Sequence, residues 1–158
     1  LVNAEDWYAG YVAYMTNLGI ITGDENGAFR PNDYITRAEF AALAVRFGNV
    51  AESADSKFSD TENHWATGYI SAAANKGWIN GYSDGTFTPD QSITRAEAVT
   101  VINRVASRYA DTEYINNNPS AASSFADLTK AHWAYYQIIE ASTPHNYSGG
   151  IGTEIWAK

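Results

Sequence analysis

The stretch "GAFRPNDYITRAEF", residues 27–40, decides the fold, because it returns 58 positions later as "GTFTPDQSITRAEA", residues 85–98. Both copies read Gly-x-Phe-x-Pro and then Ile-Thr-Arg-Ala-Glu. Self-similarity at a fixed spacing is typical of repeat architectures, in which each unit needs the same turn and the same helix start. The chain is therefore predicted to fold as repeated structural units.

The repetition covers most of the chain. Repeat one spans residues 1–48, repeat two spans 58–109, and a partial repeat three spans 125–158. Repeat three begins with "FADLTKAHWAYYQIIEAS" but never reaches a third Thr-Arg-Ala-Glu. The intervening "NVAESADSK" and "YADTEYINNNPSAASS" are polar and rich in breakers, as connectors are. A length of 158 residues suits one domain, so we predict a single domain over 1–158.

Each complete repeat is predicted to be a helix, a loop and a second helix, which makes the fold class all-α. In the first helix, apolar residues recur at helical spacing and a glycine follows at C′. These positions are Trp7, Tyr11, Tyr14, Leu18 and Gly19 in repeat one, and Trp65, Tyr69, Ala72, Ala73 and Gly77 in repeat two. In the second helix, the predicted stripes are Phe40, Leu43, Ala44 and Phe47, and Ala98, Val101, Ile102 and Val105. Both helices are amphipathic and need partners.

The loop and the start of the second helix have local explanations. Glycines and a proline flank Phe29 or Phe87, which we expect to be buried. Thr-x-x-Glu before an apolar stripe is a capping box, formed by Thr36 with Glu39 and again by Thr94 with Glu97.

The repeated arginine of this motif is not explained by capping. Arg37 and Arg95 lie in the first helical turn, where a positive charge opposes the macrodipole. Next to free amides at a helix N-terminus, each would form a good anion site. A salt bridge to an acid of a neighbouring unit explains them nearly as well.

Composition excludes several classes of function. The net charge of −8 and the pI near 4.7 disfavour nucleic acid and membrane-surface binding. The absence of cysteine excludes disulfides, thiolate metal sites and a cysteine nucleophile. No apolar run approaches the roughly 20 residues that span a bilayer.

Enzymatic and metal sites are also disfavoured, and no cofactor is predicted. His64 and His132 each precede a tryptophan at the start of a repeat helix, a position that suits capping or packing. No phosphate loop, nucleophile elbow or zinc helix is present in the sequence. The loops around Asp24 and Asp84 resemble calcium loops only weakly, because they lack the full alternation of oxygen ligands, so turn chemistry is favoured over a metal.

The motifs HW, G-x-F-x-P and ITRAE together resemble the S-layer homology (SLH) family, whose repeats attach surface proteins to Gram-positive cell walls. The resemblance covers most of residues 5–109, and residues 125–143 resemble only the first helix of a third copy. It implies a pseudo-threefold bundle with grooves between repeats, outside the cell, as part of a larger surface protein. It also implies a non-catalytic anchor that binds a secondary cell-wall polysaccharide, often through a pyruvylated amino sugar.

The resemblance further implies that the ITRAE arginine contacts the ligand, and a carboxylated sugar suits a bidentate cation and aromatic walls. The candidate ligand-binding residues are Arg37, Arg95, Trp7, Trp65, Gly27, Gly85, Asp84, Tyr82 and Trp133. For Trp65 and Trp133 we expect mostly buried rings with one exposed edge at most. The alternative is a structural or protein-interaction scaffold whose arginines make ion pairs between repeats, and a calcium-loaded module is a third reading.

Repeat three departs from the family pattern, because it lacks both the loop and the ITRAE helix. A groove that requires a third arginine would therefore be altered or absent. The tail "PHNYSGGIGTEIWAK" is predicted to form a hairpin about Gly149 and Gly150. In this prediction Tyr147, Ile151, Ile155 and Trp156 cover the site that the missing helix leaves bare.

Overall fold

The computed structural model describes residues 2–148 and 155–157. Its α-helices are α1 (Ala9–Asn17), α2 (Arg37–Phe47), α3 (Thr67–Asn75), α4 (Arg95–Val105), α5 (Thr112–Asn117) and α6 (Tyr135–Ser142). A 3-10 turn occupies Pro119–Ala121, and the strands are β1 (Asn146–Ser148) and β2 (Ile155–Ala157). The all-α prediction is confirmed, and so is the helix, loop, helix order of the two complete repeats.

Helix packing links each repeat to the next. The second helix of repeat one, α2, packs against α3, the first helix of repeat two. In the same way α4 packs against α6, the first helix of repeat three. The chain accordingly divides into two compact units, Leu1–Ile93 and Thr94–Lys158, and the division falls inside repeat two. The single domain, the repeat boundaries and the pseudo-threefold arrangement stay predictions.

Both capping boxes are confirmed. The Glu39 amide donates to Thr36 Oγ1 at 3.1 Å, and the Thr36 amide donates to Glu39 Oε2 at 2.7 Å. At α4 the corresponding distances are 3.3 Å and 2.9 Å. These bonds satisfy amides that have no partner inside the helix. Gly19 and Gly77 follow the C-caps of α1 and α3 with φ of 72° and 71°, as predicted for C′ glycines.

Removing either cap should destabilise its own unit. We expect Thr36→Ala and Thr94→Ala each to lower the free energy of unfolding by about 0.5–2 kcal/mol, because the N3 amide loses its acceptor. Urea titration followed by circular dichroism would measure the change. Serine at the same positions keeps the acceptor and is the matched control. If the alanine variants unfold at the same urea concentration as the parent, the caps contribute nothing to stability.

The predicted stripe of α2 is right for Ala44, which is buried, and wrong for Phe47, which is exposed. The most deeply buried residues, Ala38, Ala41, Ala42 and Val45, keep the predicted i, i+3, i+4, i+7 spacing but are shifted by two positions along the helix. Alanines let two helix axes approach closely, which the bulkier stripe would prevent. In α4 the buried residues are Thr100, Val101 and Asn103, so the predicted Ile102 is likewise wrong because it is exposed.

The first loop phenylalanine also differs from expectation. Phe87 is 2% exposed and stacks on Phe58 with ring centroids 5.4 Å apart, but Phe29 is partly exposed. The stacking partner explains the difference, since Phe58 belongs to the leading Phe-x-Asp segment of repeat two. The burial of Phe87 is confirmed, and the burial of Phe29 is wrong.

The second connector contains a helix that the sequence did not predict. The Asp111 side chain caps α5 by accepting from the Tyr114 amide at 2.8 Å. Ile115 is buried in a small core with Ile139 and Trp156. The Asp111 cap, buried Ile115 and half-buried Tyr114 together explain this six-residue helix, although its surroundings are rich in asparagine.

The C-terminal hairpin is confirmed in its strands, which pair antiparallel with Tyr147 opposite Trp156. Its predicted turn and Ile151 lie outside the described residues. Trp156 is buried with Ile115 and Ile139, whereas Ile155 is exposed because successive strand residues face opposite sides, and the covering role of Trp156 stays a prediction. Tyr147 is also exposed, and the Arg108 guanidinium lies 4.3 Å from its ring centroid.

Candidate functional site

Arg37 is held inside the first unit. It is the first residue of α2 and is 7% exposed. Its Nε donates to the Phe87 carbonyl at 2.9 Å, and Nη2 donates to the Asn80 carbonyl at 3.5 Å. The guanidinium therefore joins α2 of repeat one to the loop of repeat two.

Aromatic rings enclose the same guanidinium. Its carbon lies 4.5 Å from the centroid of Phe87 and 5.1 Å from that of Tyr82. Cation–π contacts of this kind are stronger where water is excluded, as it is around Phe87. The structure thus brings together two of the predicted site residues, Arg37 and Tyr82. Both are engaged with each other and with the loop.

The helix amides beside Arg37 are not free. The Arg37 amide donates to the Gln91 carbonyl at 2.8 Å, and the Ala38 amide donates to the Pro89 carbonyl at 2.9 Å. The expectation of an open anion site at this helix start is wrong, because the loop of repeat two supplies the acceptors. Residues 89–91 close the N-terminus of α2.

Asp60 is the residue that holds this loop, and we did not predict it as a site residue. Its two carboxylate oxygens accept from the amides of Phe87 at 2.9 Å and Thr88 at 2.7 Å. Thr88 adopts a φ of 54°, a conformation that needs such support outside glycine. The signal was present, since the Phe58-x-Asp60 pattern recurs in repeat three as Phe125-x-Asp127.

Arg46, in the last turn of α2, is a second residue that we did not predict. It donates to Thr22 Oγ1 at 3.2 Å and to the Tyr69 hydroxyl at 3.3 Å. It thereby ties the loop after α1 to α3. Its recurrence as Arg104 at the 58-residue spacing was the available signal.

Arg95, in the second unit, has different surroundings from Arg37. It is the first residue of α4, and its side chain is exposed. Among the described residues, its side chain has no hydrogen bond or ion pair, and the amides of Arg95 and Ala96 have no acceptor. Repeat three has no loop equivalent to residues 89–91. Within the described part of the chain, this helix start therefore differs from that of α2 in having unpaired amides and an exposed arginine.

The predicted tryptophans are more exposed than expected. Trp7, Trp65 and Trp133 are 84%, 59% and 65% exposed, so the expectation of mostly buried rings is wrong. The small residues next to them, such as Ala66 and Ala134, are buried instead. Trp65 lies beside His64 and Tyr69, with centroids 5.6 and 6.4 Å away, and Trp133 stacks on His132 at 5.8 Å. Much of the surface of each of the three tryptophans is therefore exposed to solvent.

The model of the S-layer homology domain matches residues 2–41 and 57–99, which is more than half of the chain. The chain belongs to the S-layer homology family. Both matches contain the first helix, the Gly-x-Phe-x-Pro loop and the ITRAE helix start that carries Arg37 or Arg95.

Curated relatives of this S-layer homology chain are surface proteins and enzymes. It is 38% identical over 147 residues to a cellulosome-anchoring protein of Acetivibrio thermocellus, covering 89% of this chain and 31% of that protein. It is 31% identical over 134 residues to an S-layer protein of Bacillus thuringiensis subsp. finitimus, covering 84% and 16%. An amylopullulanase of Thermoanaerobacterium thermosulfurigenes is 37% identical over 113 residues, covering 64% and 6%.

The chain thus spans less than a third of the length of these relatives. As an S-layer homology module it is extracellular and located at the bacterial cell surface. None of its described helices has the length and apolar character that crossing a bilayer demands.

The histidines of the repeat cap helices. His64 Nδ1 accepts from the Ala66 amide at 3.2 Å, and His132 Nδ1 accepts from the Ala134 amide at 3.1 Å. His64 Nε2 lies 3.1 Å from the Asp90 carboxylate, to which it donates in this tautomer. The capping interpretation of both histidines is confirmed.

The glycine-rich loops are held by their aspartates. Asp24 Oδ1 accepts from the amides of Asn26 and Ala28, both at 2.9 Å. Asp84 Oδ1 accepts from the Thr86 hydroxyl at 2.7 Å and amide at 3.0 Å. Gly27 and Gly85 sit in these turns with φ of 72° and 85°, where glycine is unstrained. In the described part of the chain, no three His, Cys, Asp or Glu side chains gather as metal ligands.

Acid should loosen both turns. The amide of Ala28, then that of Asn26 and the charge of Arg30, hold the pKa of Asp24 below its ordinary value of 3.8. The hydroxyl and then the amide of Thr86 lower the pKa of Asp84. Because the pKa of each carboxyl is lower in the folded than in the unfolded chain, ionisation stabilises the fold. This stabilisation is fully present above pH 3.8 and is lost as the pH falls through the lowered pKa.

We therefore expect the double variant Asp24→Asn, Asp84→Asn to melt below the parent at neutral pH, with the two melting curves converging in acid. Thermal melts across the acid range would measure this. The double variant Glu5→Gln, Glu62→Gln removes two exposed carboxylates outside both turns and is the control. A constant difference at every pH would contradict the assignment.

Proposed function

We propose that the chain is a non-catalytic anchoring module that binds a secondary cell-wall polysaccharide through an acidic sugar, with a pyruvate ketal on an amino sugar as the best fit. Family membership supports the anchoring role, since relatives of this chain are named for cellulosome anchoring, the S-layer and the cell wall. The partner is then a wall polymer, and the module is the attachment part of a larger surface protein.

The observation that carries the ligand class is the open start of α4. Arg95 presents a planar guanidinium beside two amides that have no acceptor among the described residues, at the positive end of the helix. A carboxylate would accept two parallel bonds from the guanidinium and a further bond from the amides. The net charge of −8 makes a local cation at this position all the more necessary for an anionic ligand.

Exposed aromatic rings supply the second element of sugar recognition. Trp133 belongs to the same unit as Arg95, and Trp7, Trp65 and Tyr82 belong to the first unit. A sugar ring offers an apolar C–H face that covers an exposed indole and releases water from it. Three other candidate ligand-binding residues, Asp84, Gly27 and Gly85, would contribute to binding indirectly, because they fix the conformation of the loop turns.

The two motif arginines have different roles in this proposal. Arg95 contacts the ligand, whereas Arg37 stabilises the first unit through carbonyl and ring contacts. The structural alternative is thus favoured for Arg37 by its burial and by its contacts with the carbonyls of Phe87 and Asn80 and with the Phe87 ring.

Loss of Arg95 should strongly weaken wall binding without unfolding the module. We expect Arg95→Ala to reduce sedimentation with purified walls by about 10-fold or more, which matches the loss of a charged hydrogen-bonded contact worth about 1.5–3 kcal/mol. Arg95→Lys should restore part of the binding, because an ammonium lacks the planar fork. Circular dichroism should be unchanged in both variants.

Lys57→Ala is the matched control, since it removes an exposed positive charge from the connector between repeats. It should bind walls like the parent. If both variants lose the same amount of wall binding, the loss reflects the net charge of the protein and not a specific contact of Arg95. If Arg95→Ala binds walls as well as the parent, the ligand contact lies elsewhere.

A further inference from the structure

Three residues at the start of repeat two hold the loop of that repeat. Phe58 stacks on Phe87 with ring centroids 5.4 Å apart, and the Asp60 carboxylate accepts from two successive loop amides at 2.9 and 2.7 Å. His64 Nε2 lies 3.1 Å from the Asp90 carboxylate at the far end of the loop. These three residues, a phenylalanine, an aspartate and a histidine, are called the loop clamp of the repeat below.

Repeat three has a loop clamp as well, formed by Phe125, Asp127 and His132. The Leu128 amide donates to the Phe125 carbonyl at 3.2 Å, which matches the equivalent bond of repeat two. After α6, however, the chain enters β1 and forms no Gly-x-Phe-x-Pro loop. All three clamp side chains are exposed, and neither the Asp127 carboxylate nor His132 Nε2 has a polar partner among the described residues. This clamp is therefore formed but holds no loop of its own repeat.

The loop of repeat one has the conformation that a clamp holds. Gly27 and Arg30 have φ of 72° and 51°, close to the 85° and 54° of their equivalents in repeat two. The Phe29 ring is 39% exposed. Within residues 2–148 and 155–157, the amides of Phe29 and Arg30 have no acceptor. This loop therefore presents an aromatic ring and two successive amides, the groups that Asp60 and Phe58 bind in repeat two.

We propose that the chain associates with a second copy of itself, in which the loop of residues 27–32 of one copy docks on the clamp of repeat three in the other. Asp127 accepts from the two successive amides of the loop, and Phe125 stacks on Phe29. The contact repeats between two chains the arrangement that repeat two makes within itself.

The histidine of the clamp also has a counterpart in this loop. His132 Nδ1 accepts from the Ala134 amide, so Nε2 carries the proton of the neutral ring and is a donor. A shift of 58 residues places Asn32 at the position of Asp90, and its side-chain oxygen is an acceptor. The loop of repeat two is already bound by its own clamp, which leaves the loop of repeat one as the occupant.

The loop and the clamp are different surfaces, so the contact is heterologous. Each pair of copies keeps one loop and one clamp for further copies, and assembly proceeds from head to tail. A six-residue loop buries little surface, and small interfaces are weak. We therefore expect a dissociation constant on the order of 0.1–1 mM.

Two complementary variants test the contact. Phe29→Ala disables the loop and keeps the clamp, whereas Asp127→Ala disables the clamp and keeps the loop. Small-angle X-ray scattering over a concentration series that passes the expected dissociation constant would measure the mass. We expect the parent to form dimers and larger assemblies and each variant alone to stay monomeric. An equimolar mixture should form a 1:1 dimer and nothing larger, because it contains one intact loop and one intact clamp per pair.

Nuclear magnetic resonance would locate the contact. When isotope-labelled Phe29→Ala chain is titrated with unlabelled Asp127→Ala chain, amide shifts should change at residues 125–132. With the labels exchanged, they should change at residues 27–32. Shift changes confined to other residues would overturn the proposal.

Tyr34→Ala and Glu113→Gln are the controls, since they alter an exposed ring and an exposed carboxylate outside the loop and the clamp. Both should associate like the parent. If Phe29→Ala and Asp127→Ala also associate alone like the parent, the proposal is wrong. It is equally wrong if the parent stays monomeric, since the clamp would then receive a loop of another protein or none.

Discussion

Replacing Arg37 with alanine is expected to lower the free energy of unfolding of the first unit by about 3 kcal/mol. The change removes one donor from the Phe87 carbonyl, which keeps the Thr88 hydroxyl at 2.7 Å, and the Arg37 donor of the Asn80 carbonyl, and an unpaired buried acceptor costs about 1–3 kcal/mol. It also removes the guanidinium from the faces of Phe87 and Tyr82. For a chain of this size the melting temperature should fall by roughly 6–12 °C.

Arg95→Ala is the matched control, because it removes the equivalent residue of the repeat from an exposed position. It should alter stability by no more than about 0.5 kcal/mol. Arg37→Lys should recover only part of the loss, since one ammonium cannot bond and stack as the guanidinium does. If Arg37→Ala melts with the parent but loses wall binding, Arg37 is a ligand contact and the division of roles is wrong.

Replacing Gly81 with alanine should also be strongly destabilising. An added Cβ would lie 2.3 Å from Phe58 Cε1 and 2.5 Å from the Thr86 carbonyl oxygen. The ring could move, but the backbone oxygen belongs to the turn that the Tyr82 amide closes by donating to it at 2.8 Å. We expect a loss of about 1–3 kcal/mol or more, measured by urea titration.

Gly10→Ala provides a control of opposite sign. Gly10 lies in α1, and nothing lies within 4 Å of an added Cβ. Alanine there should raise stability by about 0.5–1 kcal/mol through its higher helix propensity. Similar losses in both variants would mean that the close contacts at Gly81 do not decide the outcome.

Local signals in the sequence predicted the local structure well. The Thr-x-x-Glu boxes and the C′ glycines act within a few residues, so they could be assigned from the chain alone. The histidine caps belong to the same class. The hairpin strands were also predictable, because turn residues and alternating apolar residues mark them.

Choices between helix faces were not predictable in this way. Phe40, Leu43 and Phe47 form the more apolar stripe of α2, yet its alanines are the residues that are buried. Hydrophobicity alone ranks the aromatic face first, whereas close approach of two helices favours the small one. The tryptophans show the same preference, since Trp65 and Trp133 are exposed whereas their small neighbours Ala66 and Ala134 are buried.

The partners of Arg37 could not be read from the sequence either. Two of them are the backbone carbonyls of Phe87, 50 residues away, and Asn80. Every residue has a backbone carbonyl, so the residue type gives no sign that it will accept from an arginine. The repeat suggested equal roles for Arg37 and Arg95. Their surroundings differ because repeat two supplies a loop to α2, and repeat three has no such loop to supply to α4.

Binding to purified cell walls, before and after chemical removal of the secondary polymer, tests the central claim most directly. The account predicts that the chain sediments with intact walls, and that walls stripped of polymer retain about as little of it as a wall-free control does. Walls with the polymer but without its pyruvate should behave like stripped walls. Equal binding to intact and stripped walls would contradict polysaccharide anchoring, and full binding to depyruvylated walls would contradict the carboxylate as the group that Arg95 holds.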